Sequence, residues 1–123
     1  MSKESESRLS NKDKQYLKLA KNAALSSKER RKHGAVIVKS NRVLGIGVNK
    51  FRNHPDIIPE PLIKKVCSVH AEMDALNKIK DAKNATIYVA RINRFGNPML
   101  SRPCNNCYYA IREAGIKHIV YTD

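Results

Sequence analysis

Two short stretches hold the residue types most able to do chemistry: Val69-His70-Ala71-Glu72-Met73 and Pro103-Cys104-Asn105-Asn106-Cys107. Apolar residues follow His70 at helical spacing (Met73, Leu76, Ile79), which places the imidazole on the first turn of a helix. Pro103 suits the first position of a second helix. Cys104 and Cys107, three apart, then share one face near a helix N-terminus, whose partial positive charge favours thiolates. One imidazole and two thiolates leave the fourth corner of a zinc tetrahedron free, as catalysis requires. Glu72, two residues past the histidine, is better used to move protons for a water at that corner than as a fourth ligand.

His-x-Glu followed by Pro-Cys-x-x-Cys is a signature of zinc-dependent nucleobase deaminases. The chain resembles the cytidine and deoxycytidylate deaminase superfamily, which includes the tRNA adenosine deaminases, over most of its length from Lys12 onward. The resemblance implies His70, Cys104 and Cys107 as Zn2+ ligands and Glu72 as the catalytic proton shuttle. It implies hydrolysis at C4 of a cytosine ring, with Glu72 taking a proton from water, passing one to N3 and protonating the departing amine. The backbone N–H of Ala71 would hold a ring carbonyl, its small side chain admitting a flat base. Asn49, closing Gly45-Ile46-Gly47-Val48-Asn49, resembles the family's Gly-x-Asn ending that contacts sugar or base; a turn role is the alternative. Val36 resembles an apolar residue lining the base pocket.

Arg52 and His54 lie in the loop after Asn49, where contacts specific to the substrate are expected. Lys50, Arg52, Lys64 and Lys65 are the basic candidates for a phosphate. Cys67 is read as a reduced thiol, and His33 and His118 have no constellation around them. Two departures from the family pattern stand out. Asn93 to Arg102 intervene before Pro-Cys, room for a small flap or an extra hairpin. Arg102 also stands two before Cys104, where purine-acting relatives usually place Glu, which favours a pyrimidine.

The elements needed to position these residues follow the same order. Periodic apolar residues from Lys12 to about Ser26 predict a helix, and Gly34–Lys39 and Val43–Val48 predict strands joined by a Ser40-Asn41 turn. A loop with three prolines follows, then the His70 helix to about Lys80, a strand over 85–92, the cysteine helix ending at Gly115, and a strand over 116–121. Strands separated by helices imply parallel neighbours, and the hairpin adds an antiparallel pair. The expected fold is α/β: a three-layer α/β/α cytidine deaminase-like arrangement with a central mixed sheet. Residues 1–11 are expected as a flexible tail and residues 12–123 as one deaminase domain.

Composition narrows the setting. The 123 residues carry 24 Lys and Arg against 11 Asp and Glu, a net charge of +13. Such a field attracts phosphate, on a nucleotide or along a nucleic acid. No apolar run approaches the roughly 18 residues needed to span a membrane. Nothing near Met1 resembles a signal peptide. Three cysteines, two of them assigned to metal, argue for a reducing cytoplasm over a disulfide scaffold. The expected substrate is a free nucleoside or nucleotide, deoxycytidylate favoured, with single-stranded nucleic acid as the alternative substrate, a non-catalytic nucleic-acid-binding relative as a further one, and a homo-oligomer as the expected assembly.

Overall fold

The structure, a computed structural model, describes residues 2–4, 9–29, 31–51 and 68–122. In chain order the elements are β1 (Ser2–Glu4), α1 (Asn11–Leu25), β2 (Lys32–Lys39), β3 (Arg42–Val48), β4 (Lys50–Phe51), β5 (Ser68–Val69), α2 (Ala71–Asn77), β6 (Thr86–Ile92), β7 (Pro98–Met99), α3 (Asn105–Glu113) and β8 (His118–Tyr121). Six strands form one mixed sheet in the order β1-β8-β6-β2-β3, with β7 paired to β6, while β4 and β5 pair separately. β2 is antiparallel to β3 and to β6; β8 is parallel to β6 and to β1. The parallel β6–β8 pair is joined through α3, since parallel neighbours need a crossover.

Side chains alternate across a strand, so each buried strand feeds two cores. Ala35 and Ile37 of β2, with Ile87 and Val89 of β6, pack under α2 and α3 against Ala71, Ala75 and Ile111. Val36, Val38, Tyr88 and Ala90 point to the other face and meet Leu17 and Ala20 of α1. This is the expected three-layer α/β/α arrangement. No helix of the described residues is long and apolar enough to cross a membrane.

The β2–β3 hairpin turns at Ser40 and Asn41, with φ of 52° and 63°. Two left-handed residues in a row match the natural twist of paired strands, as expected for this dipeptide. The Asn93–Arg102 extension folds as a hairpin, with β7 antiparallel to β6. The Asn93 carboxamide oxygen accepts from the backbone N–H groups of Phe95 and Asn97, and Gly96 takes φ 84°. Within the stretch expected as a tail, Ser2–Glu4 pair in parallel with β8, and Leu9 is buried against α1's core. That pairing is with a strand more than a hundred residues on, which local composition does not encode.

The α2 helix, which carries the first chemical stretch, lies unusually close to β3. A Cβ on Gly47 would stand 2.3 Å from the Ala71 carbonyl oxygen and 2.4 Å from the Ala75 nitrogen. Those neighbours are backbone, so they cannot swing aside, and the adjacent faces of α2 are alanines with no exposed surface. Gly47→Ala must therefore displace the helix. Overpacking of this kind costs about 1–3 kcal/mol or more. Thermal unfolding of the variant should show a lowered midpoint, together with weakened zinc retention; an unchanged midpoint would contradict this seating of α2.

Candidate active site

Two helix N-termini converge here. His70 is the N-cap of α2, on extended backbone (φ −74°, ψ 152°), and Cys104 is the N-cap of α3 (φ −68°, ψ 168°). Both stand earlier than expected: His70 precedes the first turn by one residue, and Pro103 precedes the cap, so the helix opens at Asn105, two residues later than Pro103 suggested. The Cys104 thiol takes the capping role usually filled by a hydroxyl or carboxylate, accepting from the Cys107 N–H at 3.5 Å. Cys107 sits in the first turn of α3, on the same side.

The ring nitrogen Nδ1 of His70 lies 3.2 Å from Cys107 Sγ and 3.6 Å from Cys104 Sγ. All three donor atoms fall within 4.8 Å of one another, and this is the one such group among the described residues. Donors held at roughly 2.0 and 2.3 Å around a tetrahedral zinc stand about 3.6 Å apart. The donor set and its spacing therefore fit zinc with one corner left for water or substrate. Burial pushes the Cys107 thiol well above the ordinary range, and the negative charge of Glu72 adds to it. A cation among these groups acts in the opposite direction, favouring thiolate.

Glu72 occupies the first turn of α2 and is 5% exposed. Burial raises its pKa; the backbone N–H, the His70 ring and the Cys107 thiol offset only part of that rise. A carboxyl held upward in this way keeps a proton more readily than an exposed one does. His70, Ala71, Glu72 and Cys104 line one side of a cleft of about 630 Å3, which also takes in Asn49, Ser101 and Arg102. That size suits a small-molecule ligand.

Asn49 lines the cleft and also holds its rim. Its Oδ1 accepts from the Ser27 hydroxyl at 2.7 Å and the His33 N–H at 2.9 Å, and its Nδ2 donates to the Arg31 carbonyl at 2.6 Å. These bonds are those of the turn role. Val36 does not line the cleft. It is fully buried on the α1 face of the sheet, because an even-numbered position of β2 points away from α2. Ala35 takes the α2 side instead. Arg52, His54, Lys64, Lys65 and Cys67 lie outside the described residues. Lys50 is spent on an ion pair with Asp74 at 2.9 Å.

Three further residues belong to the site. His33 lines the cleft. Burial lowers its pKa to about 4, helped by the positive charges of Arg91, His70 and Arg31, so it is a neutral donor and acceptor at physiological pH. Asp74, 5% exposed, accepts from the Val48 N–H at 3.0 Å and pairs with Lys50 and Lys78, tying α2 to the end of β3. Burial acts to raise its pKa, but these three partners outweigh it and hold the carboxylate below its usual range. Ser101 donates to the Val89 carbonyl at 2.8 Å and accepts from the Thr122 N–H at 3.0 Å, fixing the segment before Pro103 against the ends of β6 and β8. An i,i+4 Asp74–Lys78 pair was a visible signal for the second of these; the third depends on Thr122, far along the chain.

Residues 10–123 match the family model described as the cytidine and deoxycytidylate deaminase zinc-binding region. The chain belongs to this family. In a member of the cytidine and deoxycytidylate deaminase family the metal is zinc, in keeping with the His-Cys-Cys group. Human deoxycytidylate deaminase is 34% identical over 102 residues, covering 72% of this chain and 51% of the human protein, so the chain spans about half the length of that relative. Among solved structures, dCMP deaminase from cyanophage S-TIM5 superimposes with TM-score 0.71 at 23% identity, over 92% of this chain and 84% of that one. The same phage protein in complex with dCMP and dUMP gives 0.69 at 23% identity, over 93% and 83%. Cytidine deaminase from Mycobacterium tuberculosis gives 0.56 at 18% identity, over 85% and 79%. At these identities the structural likeness is one of fold.

Zinc should be present at about one per chain, and Cys104→Ser should lose most of it, as read by metal analysis of purified protein. Because thiols must shed protons to bind metal and Cys107 is held protonated by burial, zinc affinity should fall as pH falls. Competition with a chelator across a pH series checks the sign; full zinc retention in Cys104→Ser would remove that residue from the ligand set.

Proposed function

We propose that this chain catalyses hydrolytic deamination of a cytosine base, C to U, in a free nucleoside or nucleotide, with deoxycytidylate the favoured substrate. The observation that carries the reading is the His70, Cys104 and Cys107 donor set with the buried Glu72 carboxyl beside Cys107, of which His70, Glu72 and Cys104 line one cleft. The human relative, itself a deoxycytidylate deaminase, supports the choice of base and phosphate.

His70, Cys104 and Cys107 would hold zinc, which when bound supplies a water reactive at neutral pH. Every other step falls to the chain. Glu72 accepts one proton as water oxygen adds to C4 and delivers it to ring N3; it then takes the remaining proton from the C4 hydroxyl and passes it to the amine, which departs as ammonia as the C4 carbonyl forms. Its raised pKa makes both directions of transfer accessible, and burial excludes the bulk water that would otherwise level it. The Ala71 N–H, on the first turn of α2 without an intrahelical acceptor, points to the ring carbonyl as its partner. The Asn49 amide, held by Ser27, His33 and Arg31, would present its remaining N–H to sugar or base. Arg52 and His54 remain the proposed loop contacts to the phosphate or base.

Turnover of cytidine, deoxycytidine, deoxycytidylate, adenosine, guanine and a cytosine-containing oligonucleotide, followed by ammonia release, tests the assignment. Deoxycytidylate should be the best substrate, and turnover confined to a purine or to the oligonucleotide would overturn it. Glu72→Ala should retain zinc and fold while losing on the order of a hundredfold to ten-thousandfold in kcat. Activity within a few-fold of the parent would sink the proton-shuttle role, and loss of zinc together with activity would make Glu72 a ligand instead.

A further inference from the structure

A second groove, sharing no lining residue with the cleft, runs along the solvent side of α1. It has a volume of about 450 Å3 and is lined by Lys14, Lys18 and Lys21, with Ile92 and Gly96 contributed by the β6–β7 hairpin. None of its lining residues is acidic. The single acid of α1, Asp13, accepts a hydrogen bond from the Tyr88 hydroxyl at 2.6 Å. Spacings of four and three put the lysines on one helix face, spread over about 10 Å of axis at 1.5 Å per residue. Beside Gly96 the Phe95 ring is 73% exposed, with the Arg94 guanidinium 5.0 Å from its centroid.

We propose that this groove binds single-stranded nucleic acid, which it holds without turning it over. The lysines form a line, and a line of cations fits a chain of phosphates better than one phosphate, which needs donors converging on a point. Phe95 offers an aromatic platform at the hairpin end, which only an unpaired base can reach. A lipid surface fits poorly: Leu17, Ala20 and Ala24 of α1 are buried in the protein, leaving Leu25 as the one large apolar residue that helix exposes. The proposal does not depend on the deaminase reading.

Fluorescence anisotropy of the full zinc-loaded chain with a labelled oligothymidylate tests it across a salt series. Thymine has no ring amine to lose, so the probe reports binding apart from catalysis. Three phosphate contacts predict a log–log slope near about −2 for a single strand. Replacing Lys14, Lys18 and Lys21 together by Gln, itself a good helix former, should flatten that slope toward zero, and Lys18→Gln alone should reduce it by about 0.7. Phe95→Ala should weaken binding by about tenfold with the slope preserved. Parental affinity and slope in both lysine variants would overturn the site. Parental affinity in Phe95→Ala, or displacement by inorganic polyphosphate as effective as by unlabelled oligothymidylate, would overturn the single-strand assignment in favour of an unselective anion surface.

Discussion

Glu72 and Cys107 are buried close together; burial raises the cost of ionising each, the Glu72 charge adds to that cost at the thiol, and the thiol's hydrogen bond relieves part of it at the carboxyl. Without a cation, the carboxyl and the thiol are both driven toward their protonated forms, since a buried pair of like charges has no water to screen it. A divalent ion among His70, Cys104 and Cys107 resolves the conflict. Held there, it would favour thiolate at both sulfurs and would draw the Glu72 carboxyl back down from its metal-free position. Metal binding and acid–base competence are coupled through one desolvated volume.

That coupling is useful only if the groups stay where they are, and the fold fixes them from three directions. Gly47 lets α2 press onto β3, so the helix start cannot drift along the sheet. Asp74 then pins the same helix to Val48 through its N–H, and draws Lys50 and Lys78 in to balance the buried charge. Ser101 and Thr122 exchange bonds with each other and with strand carbonyls just ahead of Pro103, which holds the start of α3 against the sheet. Each helix end that presents a metal donor is therefore tied to strand backbone by a separate polar contact. In keeping with this, no buried side-chain nitrogen or oxygen among the described residues lacks a partner.

Much of this was legible in the chain because the informative signals were local. His-x-Glu and Pro-Cys-x-x-Cys each place their donors within a turn of helix, and Ser40-Asn41 encodes a tight hairpin through its tolerance of positive φ. What escaped was set by register or by distant partners. Starting the first strand at Gly34 hid the fact that it begins at Lys32, and with it the alternation that aligns His33 with Ala35 and Ile37 on the α2 side. The same alternation sends Val36 to the opposite core. The N-cap positions of His70 and Cys104 were missed, by one and two residues, because neither is a customary capping side chain and Pro103 suggested a helix already begun. Ser101 and the β1 strand depend on contacts with the far end of the chain, on which local pattern is silent.

The distribution of charge separates two tasks that the total of +13 merges. Near the cleft, positive charge is largely committed: Lys50 and Lys78 serve Asp74, and Arg31 and Arg91 help to keep His33 neutral. A neutral imidazole beside the metal donors can hydrogen-bond a sugar or base without repelling zinc, which a charged one would do. Arg102 remains exposed at the cleft wall, next to Cys104, as a cation able to meet an anionic substrate. The remaining surplus includes Lys14, Lys18 and Lys21, aligned along the outer face of α1. A single phosphate entering the cleft needs only one or two cations, so substrate recognition does not account for a stripe on the opposite layer. Among the described residues the basic surplus thus falls in two separate places, Arg102 at the ends of α2 and α3 and the lysines along α1.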